Sequence, residues 1–125
     1  MSKTTALRRL IREQLQTVPG GTYHKAAPKD AGYPYKVYTL TSVAFTDSAR
    51  DDQELEVDLW DRSPDQKTIE EIADQVERLF NAANLPRHPI YPTFFREARY
   101  NLDDPDKTLH HTQLRFLVQL YETEE

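Results

Sequence analysis

The chain has 125 residues, 38% of them hydrophobic and 30% charged, with a formal charge of -5. That length suits one domain, which buries about two-thirds of its unfolded surface without needing staples. The absence of cysteine excludes disulfides, thiolate metal sites and cysteine nucleophiles, and no apolar run exceeds three residues, which excludes a membrane-spanning helix and a secretory signal core. The net acidity argues against a general nucleic-acid binder, and Met1-Ser2-Lys3 reads as the intact start of a soluble cytoplasmic protein.

Thr4 or Thr5 is placed to cap a first helix running to about Thr17, with Leu7, Leu10, Ile11, Leu15 and Val18 at helical spacing. Val18-Pro19-Gly20-Gly21 stops it. Residues 19–34 read as a long loop around a short extended piece, Thr22-Tyr23-His24. Tyr35 to about Phe45 has the Val, Tyr and Thr content of a strand, and Thr46 to Asp52 reads as a turn or mobile loop. Glu54-Leu55-Glu56-Val57-Asp58-Leu59 alternates strictly, the plainest strand in the chain. Ser63-Pro64-Asp65-Gln66 reads as a helix start with Ser63 as cap. The helix that follows places Ile69, Ile72, Ala73, Val76, Leu79 and Phe80 on one face. A Pro-punctuated connector at about 84–93 leads to a strand at about Thr93 to Leu102. After the turn Asp103-Asp104-Pro105-Asp106-Lys107, a last strand spans about Thr108 to Tyr121, where Leu117 breaks the alternation and predicts a partly covered outer face. The expectation is a single α+β domain over residues 1–125 in the order α-β-β-α-β-β. It has an antiparallel or mixed sheet of about four strands, two main helices on one face and an acidic tail at 122–125.

Charge is unevenly spread. Residues 1–46 carry seven basic side chains against Glu13 and Asp30, a net of +5, while residues 47–82 carry twelve acids against four bases, a net of -8. Either the two blocks balance within the folded domain, or the acidic face of one subunit meets the basic face of another. A head-to-tail contact of the second kind closes into a ring when its rotation allows.

The search for catalytic chemistry ends empty. His110 and His111 point to opposite faces of a strand, and His24 and His88 have no partner at ligand spacing, so zinc is not expected. Glu54, Glu56 and Asp58 form a carboxylate stripe that reads as a solvated strand face; weak Mg²⁺ binding is the one cofactor it allows, and paired-acid hydrolysis is the remaining enzymatic reading. There is no glycine-rich phosphate loop and no nucleophile elbow. Arg8, Arg9 and Arg12 form a helix face that is either solvated, salt-bridged or set to touch phosphate. The two long irregular segments, bordered by aromatics, point to protein interaction. Trp60, Tyr91, Phe94, Phe95, Arg8, Arg12 and Arg50 are the candidate interface positions, although Trp60 and the two phenylalanines equally suit a role in closing the core.

Four features together resemble the phage tail-completion family, also called tail terminators or tail-to-head joining proteins. A short N-terminal helix leads through Val18-Pro19-Gly20-Gly21-Thr22-Tyr23-His24 to Tyr33-Pro34-Tyr35-Lys36-Val37-Tyr38. An alternating strand ends in Leu59-Trp60-Asp61, and the helix Ile69-Glu70-Glu71-Ile72-Ala73-Asp74-Gln75-Val76 follows it. An aromatic, Arg-containing strand, the acidic turn and the closing strand Leu114–Tyr121 complete the pattern, which spans roughly residues 5–121. The resemblance implies an α+β virion subunit with no catalytic residues. It implies assembly into a hexameric ring at the head-proximal end of the tail, with the tail-tube protein and the head connector as partners and DNA passing through without specific binding. It places the protein in the virion, and in the bacterial host cytoplasm during assembly. A head-side connector or adaptor role is the alternative within the same particle.

Overall fold

The computed structural model describes residues 2–45 and 50–122; positions 46–49 of the expected turn and 123–125 of the acidic tail lie outside the described residues. Helix α1 spans Lys3–Leu15. Its cap is Ser2, whose Oγ accepts from the Thr5 backbone N–H at 3.0 Å, two or three residues earlier than the expected Thr4 or Thr5. That bond satisfies one of the amide donors a helix start leaves unpaired. Ala6, Leu7, Leu10, Ile11 and Leu15 form its buried stripe, and it ends at Leu15 rather than Thr17.

The short extended piece expected at Thr22-Tyr23-His24, within the loop at 19–34, is a strand, β1 at Gly21–His24. It lies parallel to β2, Tyr35–Phe45, with Thr22 opposite Lys36. Two features fix it there. Gly20 takes a φ of +99°, and a Cβ at that position would sit 2.8 Å from the Pro34 carbonyl oxygen, so only glycine fits the approach. Lys36, 1% exposed, donates from Nζ to the carbonyls of Val18 (3.0 Å), Pro19 (3.0 Å) and Gly20 (2.7 Å). Burial pulls the Lys36 pKa down to about 8, which still leaves an ammonium at neutral pH with all three donors used.

Strand β3 runs Arg50–Arg62 and helix α2 Lys67–Phe80. A two-residue strand β4, Ala83–Asn84, precedes β5, Ile90–Leu102, and β6, Leu109–Glu122. The sheet is therefore six-stranded and mixed, in the order β1-β2-β3-β6-β5-β4, where sequence reasoning expected about four strands. Arg50, Asp51 and Asp52 belong to β3 instead of a turn, because they pair with Tyr121, Leu120 and Gln119 of β6. Ser63 and Pro64 stay outside α2: the Ser63 hydroxyl donates to the Asp65 carbonyl, and the helix begins after Gln66, which makes no side-chain cap bond. The expected connector at 84–93 is shortened from both ends by β4 and β5.

Both helices cover the same face of the sheet. Leu55, Val57, Leu59, Leu114, Phe116, Val118 and Leu120 point from β3 and β6 into a core closed by Leu7, Ile11, Ile72, Val76 and Phe80. Phe80 packs on Phe94 and Phe116, with ring centroids 4.8 and 5.4 Å away. Ion pairs at the rim tie the layers together. Lys3 reaches Asp51 at 2.8 Å, and Arg99 joins Asp74 (2.9 Å) and Glu77 (3.0 Å) of α2 to β5.

Candidate functional site

Because side chains alternate along a strand, helices on one face leave every second residue of the sheet on the other. Among the described residues no helix covers that second face; residues 25–27 approach it only at one end, beside Tyr35, Val37, Asp58, Trp60 and His111. Tyr91, Phe95, Tyr100, Leu102 and Tyr121 all lie on it and are between 38% and 47% exposed. Soluble monomers seldom show so many large apolar side chains on one surface without a binding role.

The face has two aromatic ends and an acidic middle. At one end, the register sets Tyr35, Trp60 and His111 side by side across β2, β3 and β6. His111 stacks on Trp60 with centroids 3.8 Å apart, Tyr35 lies 6.5 Å beyond Trp60, and Tyr33 lies 5.5 Å from Tyr35. The Arg62 guanidinium sits 5.4 Å over Tyr33 and is held by Asp106. At the other end Tyr91 is opposite Tyr121, which is opposite Arg50. Arg50 forks onto Asp52 at 2.9 and 3.0 Å.

Between the ends, Glu54, Glu56 and Asp58 project at alternate positions of β3. Burial pushes the Glu56 carboxyl up, and neighbouring Asp58 adds to the rise. Burial also works against the Asp58 charge. It is outweighed by hydrogen bonds from His111 Nε2 at 2.7 Å and Gln113 at 3.2 Å, so Asp58 titrates below its ordinary value. Arg115 lies 3.6 Å from Glu56 and 5.6 Å over the Tyr100 ring. Glu54 has no ionic partner among the described residues. The backbone positions of the three carboxylates repeat about every 6.6 Å along the extended strand, and among the described residues no three ligand-type side chains converge as a metal site requires. The arrangement suits cationic or aromatic side chains of another protein better than one bound ion.

The structure separates the sequence-predicted positions. Trp60, Tyr91, Phe95 and Arg50 share the open face. Phe94 does not: it is fully buried against Phe80, because its place in the alternation points it at α2, and this corrects its reading as an interface residue. Arg8 and Arg12 lie on the opposite side of the sheet, where with Thr5, Arg9 and Tyr38 they line a shallow concavity beside α1. Sequence reasoning missed Tyr35, Tyr100, Leu102, His111 and Tyr121 as face residues. The alternation of β6 carried the signal for His111 and Tyr121, and the half-buried Leu117 between them fits the partly covered outer face expected from the break at that position.

The profile of the family described as tail completion protein gp17 matches residues 5–120. Among solved structures, a chain from a "virion of native gene transfer agent (GTA) particle" is similar at 11% identity and a TM-score of 0.65, covering 96% of this chain and 92% of that chain. At that identity the likeness is one of fold. No curated protein matches the chain.

Proposed function

This chain belongs to the tail completion protein gp17 family and is a structural phage protein; from that premise we propose that it is a tail terminator. In this role copies of the chain form a ring at the head-proximal end of the tail, stop growth of the tube and join tail to head within the virion. The observation that carries the reading is the open sheet face, a broad surface of exposed aromatics around an acidic strand. Such a surface suits recognition of a large partner. A net charge of -5 suits a ring through which DNA passes, since phosphate binding needs a cationic excess.

Co-assembly tests the role. Purified protein is mixed with tail-tube protein and, separately, with the portal or adaptor proteins of the same particle. Binding to the tail tube is the expected result. Binding to the portal side alone would replace the terminator role with that of a head-side connector.

A further inference from the structure

We propose that the arginine face of α1 on one subunit docks against the carboxylate stripe of the open sheet face on a second copy of this chain; the inference rests on the self-assembly reading above and names the surfaces that carry it. Three observations support it. First, Arg8, Arg9 and Arg12 cluster with no carboxylate partner among the described residues, whereas Arg62, Arg87, Arg96, Arg99 and Arg115 each have one, as does Arg50; Arg78, on α2, is the other arginine without one among the described residues. Second, Glu54 is unpaired in the same sense, and the stripe of Glu54, Glu56 and Asp58 has only one arginine, Arg115, at 3.6 Å from Glu56, so it keeps an excess of carboxylates for an incoming cation.

Third, the two patches lie on opposite sides of the sheet, so no chain can satisfy its own. Arg8 and Arg12 gather beside Tyr38 on the helix-covered side, while Glu54 and Glu56 project from the other. The spacings agree: residues four apart on a helix are separated by about 6 Å along its axis, and residues two apart on a strand by about 6.6 Å. Arg8 and Arg12 therefore meet Glu54 and Glu56 as two pairs in step. A contact joining two different patches is head-to-tail by construction, the type that closes into rings. The exposed Tyr100 and Phe95 lie on the same face on β5, one strand beyond β6 from the stripe, and offer apolar area to one side of the ion pairs.

The test is absolute mass by light scattering across protein concentration, at low and high salt. It uses the wild type, an Arg8→Glu/Arg12→Glu variant, a Glu54→Lys/Glu56→Lys variant, and a chain carrying all four changes. Far-ultraviolet dichroism and melting establish that each variant is folded. The expected result is a wild type that assembles, less so in high salt. Each two-site variant should assemble at least tenfold more weakly, with recovery on mixing the two or in the four-site chain. If the wild type assembles and the two-site variants do so equally, or if mixing and the four-site chain recover nothing, the proposal is overturned while self-assembly stands. A wild type that is monomeric at every concentration removes the self-assembly reading itself. Salt-sensitive binding of duplex DNA that only the arginine variant loses, with its assembly unchanged, would assign the arginine face to phosphate and also overturn the proposal.

Discussion

His111 lies flat against Trp60, centroids 3.8 Å apart and planes 13° from parallel, while its Nε2 meets Asp58 Oδ1 at 2.7 Å. Three residues from two strands thus form one unit on the open face. The pairings Trp60 with His111 and Asp58 with Gln113 set this geometry. Trp60→Ala removes the stack and is expected to cost about 1 kcal/mol, measured by urea unfolding. A loss too small to detect would mean the stack is incidental to stability.

The Asp58 carboxylate gives a pH dependence of known sign. Its folded pKa lies below the unfolded value. Its contribution is therefore present above about pH 4 and is lost as pH falls through the lower folded value. Asp58→Asn should narrow its stability gap to the wild type as pH drops from 5 towards 2. Parallel stability curves for the two proteins over that range would contradict this.

Phe94 and Phe95 are neighbours with opposite fates. Phe94→Ala empties a core position and should cost about 3–5 kcal/mol. Phe95→Ser changes an exposed side chain, so it should alter folding by only about 0.5 kcal/mol while weakening assembly. Calorimetry and solution mass, measured on the same samples, separate the two effects.

Lys36→Met would leave the Val18, Pro19 and Gly20 carbonyls without their shared donor and release β1. A loss of about 2–4 kcal/mol is expected, with early hydrogen exchange confined to Gly21–His24. Uniform exchange across β1 and β3 would argue against a local tie.

Asp106 accepts from Arg62 and from the Thr108 backbone and hydroxyl, contacts that hold its pKa at about 2. Arg62→Ala should raise the Asp106 titration midpoint towards the usual carboxylate range, as followed by carboxyl carbon chemical shift. An unmoved midpoint would show that the Thr108 bonds suffice.

Local pattern made much of this fold legible. The alternation of β3 and β6 and the apolar stripes of α1 and α2 each follow from the two periodicities, and so does the placing of both helices on one side. What the sequence concealed depends on distant pairing. Thr22-Tyr23-His24 is legible as extended, but not its parallel pairing along β2, where Lys36 and Gly20 hold it, and Ala83–Asn84 is a strand only because Thr93 and Phe94 lie opposite. Arg50–Asp52 looks like turn by composition, yet β6 is long enough to pair with it. The candidate face was harder still. Trp60 and Phe95 are legible as large aromatics, but their union with Tyr100, His111 and Tyr121 exists only once the register is set.

Electron microscopy of particles from a phage or prophage lacking this gene decides between a tail-side and a head-side role. Loss of a tail terminator should leave filled heads beside unjoined tails of irregular length, and added protein should appear at one end of those tails and restore joining. Tails of normal length, with added protein binding only to heads, would contradict it.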